Sequence, residues 1–252
     1  MAVGASGRRK RDRNQELINR RRSEILAAAA VVFARHGYAK SDVQTIADEV
    51  GVAKGTLYHY FGSKEQIFFA AVDEGMSQLK DRLTLVYANS ADPIEAIAAA
   101  IYVYLHFFDS NKSIVELFIQ ERAHFADREK PTYFVHRDAN IGPWRDLVAL
   151  LIKEGRLRAN SVDQIVDAMG ALLYGSMFTN YFSKRKQSVE SQAADLIGVA
   201  FNGILGGEHS DRWTPAKIGE VVAGARRTMR QVHRSGSRTG LSVGMATDAN
   251  GS

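Results

Sequence analysis

An all-α fold is predicted by three features of this sequence. Apolar residues recur at i, i+3 and i+4 spacing through one segment after another. No stretch alternates apolar and polar residues well enough for a strand. Gly and Asp-Pro punctuate the chain where helices of ordinary length should stop and start, at Gly37, Asp92-Pro93, Gly155 and Gly206-Gly207.

The elements follow in order. Residues 1–15 are polar and basic, carry few apolar side chains and are expected to be disordered. Ile25, Leu26, Ala29, Val32 and Phe33 then mark one face of a helix over Ser23–His36, which Gly37 ends. Asp42 is placed to cap a short helix over Val43–Val50, Gly51-Val52 makes a turn, and Lys54–Tyr60 forms the next helix. Ser63, with Gln66 three residues on, starts a long helix as a capping box does. Helices are predicted over 63–88, 93–109, 112–126, 131–154, 162–183 and 188–206, with an amphipathic segment over Pro215–Val232 and a disordered Ser/Gly/Thr/Asn-rich end.

Charge is distributed unevenly. The net formal charge is +5. Residues 1–22 hold eight Lys/Arg against Asp12 and Glu16, and residues 212–252 hold seven against Glu220 and Asp248, so two basic ends flank an acidic body. A basic arm beside a nucleic-acid-reading unit can enter a minor groove or displace counterions from phosphates; the C-terminal stretch reads as a solubilising tail. There is no cysteine, which excludes disulfides and thiolate metal sites. No run of about 18 apolar residues suggests a membrane span, and no apolar segment follows the basic N-terminus as a secretory signal requires. A cytoplasmic protein is expected.

The span Val43–Phe61 reads VQTIADEVGVAKGTLYHYF: a short helix, a glycine turn and a second short helix, with Ser23–His36 supplying the face on which both pack. A helix fits the major groove of B-DNA and its N-terminal residues reach base edges there. Lys54, Thr56, Tyr58, His59 and Tyr60 all carry hydrogen-bond donors, and Gly55 leaves backbone uncovered. Tyr58 and Tyr60 point about 200° apart on a helix, so one can be exposed while the other is core.

Ile25, Ala28, Phe33 and Gly37, then Ile46-Ala47, Gly51-Val52, Lys54–Phe61 and Ser63-Lys64-Glu65, resemble the tetracycline-repressor (TetR) family of regulators. The resemblance covers roughly residues 20–70 and its Tyr-x-Tyr-Phe-x-Ser-Lys-Glu ending is specific. It implies an N-terminal three-helix helix-turn-helix domain followed by a helical ligand-binding and dimerisation domain. It implies DNA contacts from Gln44, Lys54, Gly55, Thr56, Tyr58, His59, Tyr60 and Lys64, the last clamping a phosphate, with Leu57 and Phe61 as core. Two positions depart from the family pattern. Asp42 stands where Thr or Ser is usual, and its carboxylate would repel phosphate. Ala53 replaces the usual Ser cap, at a cost of about 1 kcal/mol in helix stability.

On this basis the chain divides into a disordered basic arm (1–18), a DNA-binding domain (19–79), a ligand-binding and dimerisation domain (80–210) and a basic, partly disordered tail (211–252). The expected partners are a near-palindromic operator in double-stranded DNA, a small-molecule effector and a second copy of the chain, with no membrane. Tyr102, Phe118, Phe125, Trp144, Tyr174 and Phe178 are candidates to line an apolar or aromatic ligand site, although ordinary core is the favoured reading of each, since a core needs large apolar residues in any case. Helices 162–183 and 188–206 carry Gly170, Gly175, Gly198 and Gly203, which allow close helix approach, and are the dimer candidates. Glu121-x-x-His124 has the spacing of a di-iron bundle ligand pair, but no second copy of the motif is present. No metal, cofactor or catalytic residue is expected. The leading function is a repressor released by its ligand; the alternative is a DNA-bound interaction protein of the same fold without a ligand.

Overall fold

A computed structural model describes the backbone over residues 3–158, 161–204 and 213–238. Helices account for nearly all of it: α1 (Val3–His36), α2 (Val43–Glu49), α3 (Lys54–Phe61), α4 (Lys64–Asn89), α5 (Pro93–Ser110), α6 (Lys112–His124), α7 (Thr132–Asn140), α8 (Gly142–Lys153), α9 (Val162–Ser183), α10 (Val189–Ile204) and α11 (Pro215–Arg238). The fold is all-α, with no sheet among the described residues.

Local chemistry explains most of the boundaries. Asp92 accepts the Ile94 and Glu95 amides, capping α5 ahead of Pro93 in its first turn. Ser63 does the same for α4 through the Gln66 amide. The helix predicted over 131–154 is in fact two. Pro143 lacks an N–H and cannot sit inside a helix, so the chain restarts at Gly142, and the Asn140 side chain closes α7 on the His136 carbonyl.

The N-terminal end departs from expectation, and the C-terminal end extends the amphipathic segment expected over Pro215–Val232. Helix α1 continues back to Val3, through the stretch predicted as a disordered arm. Between Arg8 and Arg22 it contains no Pro or Gly, and Arg, Lys and Gln are good helix formers. The C-terminal tail predicted over 211–252 supplies α11, whose Ile218, Val221, Val222 and Ala225 are buried against α5 and α10.

Helix α5 occupies the centre. It is apolar on nearly every face, with Ile101, Tyr102, Leu105 and Phe107 at 2% exposure or less, and α4, α6, α9, α10 and α11 surround it. Helix α4 links the two halves. It packs on α1 and α3 and also on α5 and α7, so the boundary predicted at 79/80 falls inside a continuous helix, as the helix predicted over 63–88 implies.

Candidate nucleic-acid interface and ligand cavity

Helices α1, α2 and α3 form a compact unit around Ile25, Phe33, Ile46, Ala47 and Leu57, each fully buried. Gly51 takes a left-handed φ of 65° in the turn between α2 and α3, a conformation that other residues adopt at a cost. Arg21 of α1 donates to the Val50 carbonyl at 2.7 Å, closing the C-terminus of α2. Arg21 and Arg20 also pair with Glu24, whose carboxyl is held below its ordinary range chiefly by the Arg21 hydrogen bond. Arg22 lies over the Phe61 ring at 5.4 Å. Part of the N-terminal basic charge is thus spent on bracing the unit, a role that the sequence alone does not signal.

Asp42 accepts the Gln44 amide at 2.8 Å and the Lys54 ammonium at 2.8 Å. One carboxylate therefore caps α2 and ties the start of α3 across the turn. Both contacts lower its pKa, the amide more than the lysine, while that of Lys54 is shifted upward by the same pair. The charge expected to repel phosphate is balanced by a residue expected to bind it. Ala53 makes no side-chain cap, as its methyl dictates.

The remaining predicted contacts separate by orientation. Tyr58 (40% exposed) and His59 face solvent, whereas Tyr60 is half-buried and packs on the core beside Phe61. Leu57 and Phe61 are core. Gly55 is exposed and Thr56 half-buried at the start of α3. Gln44 is exposed and its amide donates to Asp48 at 2.7 Å. Lys64 bridges from α4 to the α1–α2 loop, donating to the Ala39 carbonyl at 3.2 Å and lying over the Tyr38 ring.

A second feature lies in the body. A cavity of about 200 Å³ opens between α4, α5, α7, α8 and α9, walled by Met76, Leu79, Leu83, Ile101, Val166 and Leu173 among others. Its polar elements are Lys80, His136, Arg137 and Asn140, with a Tyr104–Tyr133 hydroxyl pair 3.0 Å apart. His136 is hydrogen-bonded to Asp73 and Arg137 is paired with Asp167. Burial pushes the Tyr104 hydroxyl well above its ordinary pKa, which keeps it protonated.

Of the ligand residues predicted, Trp144 lines this cavity; Tyr102, Phe118, Phe125, Tyr174 and Phe178 do not. Phe125 is wedged among Tyr38, Phe68 and Phe69, where the two halves meet. Phe118 packs on Phe108 and Tyr133, Tyr174 on Tyr133 and Phe134, and Phe178 on Tyr174 and Phe182. Tyr102 is fully buried beside His106. These five rings fill gaps between helices; the cavity wall is mostly aliphatic, with Tyr104, Tyr133 and Trp144 beside it, and aliphatic residues carry no signal distinguishing a cavity wall from core.

The glycines expected at a dimer face also divide. A Cβ on Gly170 would meet Arg137 of the same chain at 3.3 Å and one on Gly198 would approach Ile218 at 3.9 Å, so both serve contacts within the chain, while Gly175 faces open space. The surroundings of Gly203 lie outside the described residues. Leu172 and Phe182 of α9 and Val199 of α10 are 41%, 66% and 74% exposed. Glu121 is buried and accepts from the Thr132 amide and hydroxyl, both at 2.9 Å, and from Arg128. No group of three or more metal-ligating side chains occurs among the described residues, and no described helix is long and apolar enough to cross a membrane.

Residues 25–71 match the family model described as bacterial regulatory proteins, tetR family. The chain is 27% identical over 141 residues to the HTH-type transcriptional repressor KstR2 of Rhodococcus jostii, covering 56% of this chain and 69% of that protein. It is 36% identical over 94 residues to the fatty acid metabolism regulator protein of Bacillus subtilis, covering 36% and 48% of the two. The ketosteroid transcriptional regulator KstR2 of Mycobacterium tuberculosis has a similar fold (TM-score 0.57, 22% identity, 74% of this chain and 96% of that one).

Proposed function

This chain belongs to the tetR family of bacterial regulatory proteins, DNA-binding regulators of transcription, and on that premise we propose that it is a homodimeric cytoplasmic repressor released from its operator by an apolar or aromatic ligand. Residues 19–79 bind DNA and residues 80–210 hold the ligand and the dimer contact. Tyr58 and His59, exposed on α3, read bases; Gln44, Gly55, Thr56 and Lys64 position the phosphate backbone. The exposed apolar residues Leu172, Phe182 and Val199 meet their counterparts on the second copy.

The observation that carries the reading is the position of the cavity against α4. Met76, Leu79 and Leu83 wall it, and they stand on the same helix that packs on α1 and α3. That helix has 26 residues and spans roughly 39 Å. The cavity's 200 Å³ is below the roughly 300–1,000 Å³ of ordinary ligand pockets, and a ligand of that class that wedges into it pushes on α4. Such a ligand favours a displaced α4, and with it a changed separation of the two recognition helices, which need about 34–36 Å between them to enter successive major grooves. The names of the relatives, which mention ketosteroids and fatty acid metabolism, support an apolar ligand.

Fluorescence anisotropy on DNA from the protein's own promoter region tests this, titrated with steroid and fatty-acyl compounds. Tight, salt-sensitive binding to one site that such a compound reverses is expected. Specific DNA binding indifferent to every apolar compound would instead favour the ligand-free interaction protein.

A further inference from the structure

Helix α11 lays its apolar face on α5 and α10 and turns Arg226, Arg227 and Arg230 outward. Between α10 and α11 runs a groove of about 310 Å³ with Ala194, Val222 and Ala223 in its walls and Arg226, Arg227, Arg230 and Glu190 as its charged groups. Arg226 reaches Glu190 at 3.5 Å. Arg227 and Arg230 form no ion pair with any described residue. Three guanidiniums against one carboxylate leave the groove with two positive charges in excess, and Arg226 and Arg230, one helical turn apart, repel each other.

We propose that the α10–α11 groove is a binding site for a phosphate-type dianion, held by Arg226, Arg227 and Arg230. A phosphate ester carries about −1.5 to −2 charges near neutral pH, which matches the excess. Guanidinium presents a planar pair of donors that fits phosphate oxygens two at a time. The small apolar side chains of Ala194, Val222 and Ala223 accept the organic part of such a ligand. This site is separate from the cavity against α4 and from the DNA interface.

Calorimetric titration of the full chain with inorganic phosphate, at fixed ionic strength, tests the proposal without DNA or the apolar ligand. Saturable binding is expected, and it should weaken about tenfold or more in Arg227→Gln and in Arg230→Gln, since each removes charge-assisted hydrogen bonds. Both arginines are exposed, so these variants should keep the parent's melting temperature, and Arg185→Gln, exposed just past the end of α9, should bind as the parent does. Vesicles containing phosphatidic acid form a second arm: binding there alone, with the same arginine dependence, assigns the phosphate to a lipid headgroup rather than a soluble compound. Absence of saturable binding in both arms, or binding that survives the two substitutions, would overturn the proposal.

Discussion

Gln120 on α6 donates its side-chain amide to the carbonyl of Phe33 on α1 at 2.9 Å. The other end of the same amide accepts the Tyr38 N–H at 2.8 Å, so one buried side chain holds both sides of the turn that leaves α1. Gln120 also donates to Glu116, which accepts the hydroxyl of Tyr181 on α9. Burial and this carboxylate push the Tyr181 pKa up to about 12, which keeps the hydroxyl a donor. A hydrogen-bonded line thus joins the DNA-binding unit to one of the proposed dimer helices.

Replacing Gln120 by Leu should destabilise the protein by about 1–3 kcal/mol, the cost of leaving buried backbone groups unpaired. Gln120→Glu should be worse, since it removes the donor to Phe33 and sets a carboxylate beside Glu116. Thermal denaturation checks both. Equal melting temperatures for Gln120→Leu and the parent would mean that the bridge contributes nothing.

The Asp42–Lys54 pair makes a prediction about DNA. Asp42→Asn keeps a cap for α2 but releases Lys54 as an uncompensated cation. Non-specific affinity should rise, and the slope of log affinity against log salt should steepen by about one phosphate contact. An unchanged slope in an anisotropy titration would mean that Lys54 does not reach the duplex.

The same pair sets a pH dependence. The Asp42 carboxyl is depressed in the folded state by the Gln44 amide and then by Lys54. Its stabilising contribution is therefore complete above the ordinary carboxylate pKa and is lost as pH falls through the lowered folded value. Melting temperatures followed down an acid series should separate the parent from Asp42→Asn at neutral pH, with the two converging only below the ordinary carboxylate range.

Within α3, Tyr58→Ala and His59→Ala should abolish preference for the operator while leaving the melting temperature nearly unchanged, because both side chains are exposed. Leu57→Ala should instead cost about 2–5 kcal/mol by opening a cavity at a fully buried site. If Tyr58→Ala unfolds the domain, its ring is structural rather than a DNA contact.

Filling the cavity separates ligand response from DNA binding. Ala100 is half-buried on its wall, and Ala100→Phe should preserve operator affinity while blocking release by any apolar compound that works on the parent. Release at the parent's ligand concentration would place the ligand elsewhere.

By itself the sequence determined the helix-turn-helix, because its information is local. Caps at Asp42 and Ser63, the glycine turn at Gly51 and the spacing of Ile25, Phe33, Ile46 and Leu57 act within a few residues or along one helix face, and each appears as written. It also placed α5, whose apolar residues cover nearly every face. What the tertiary structure decided is everything that depends on distant residues meeting. Whether an arginine is free or spent, as Arg21 is spent on Val50, depends on a partner 29 residues away. Which aromatic residues line a cavity and which fill one depends on how helices pack, so Trp144 stands at the cavity while Phe125 is sealed in the joint. The tail became a core helix for the same reason: the period of Ile218, Val221, Val222 and Ala225 announces an apolar face, but only α5 and α10 supply the surface that buries it.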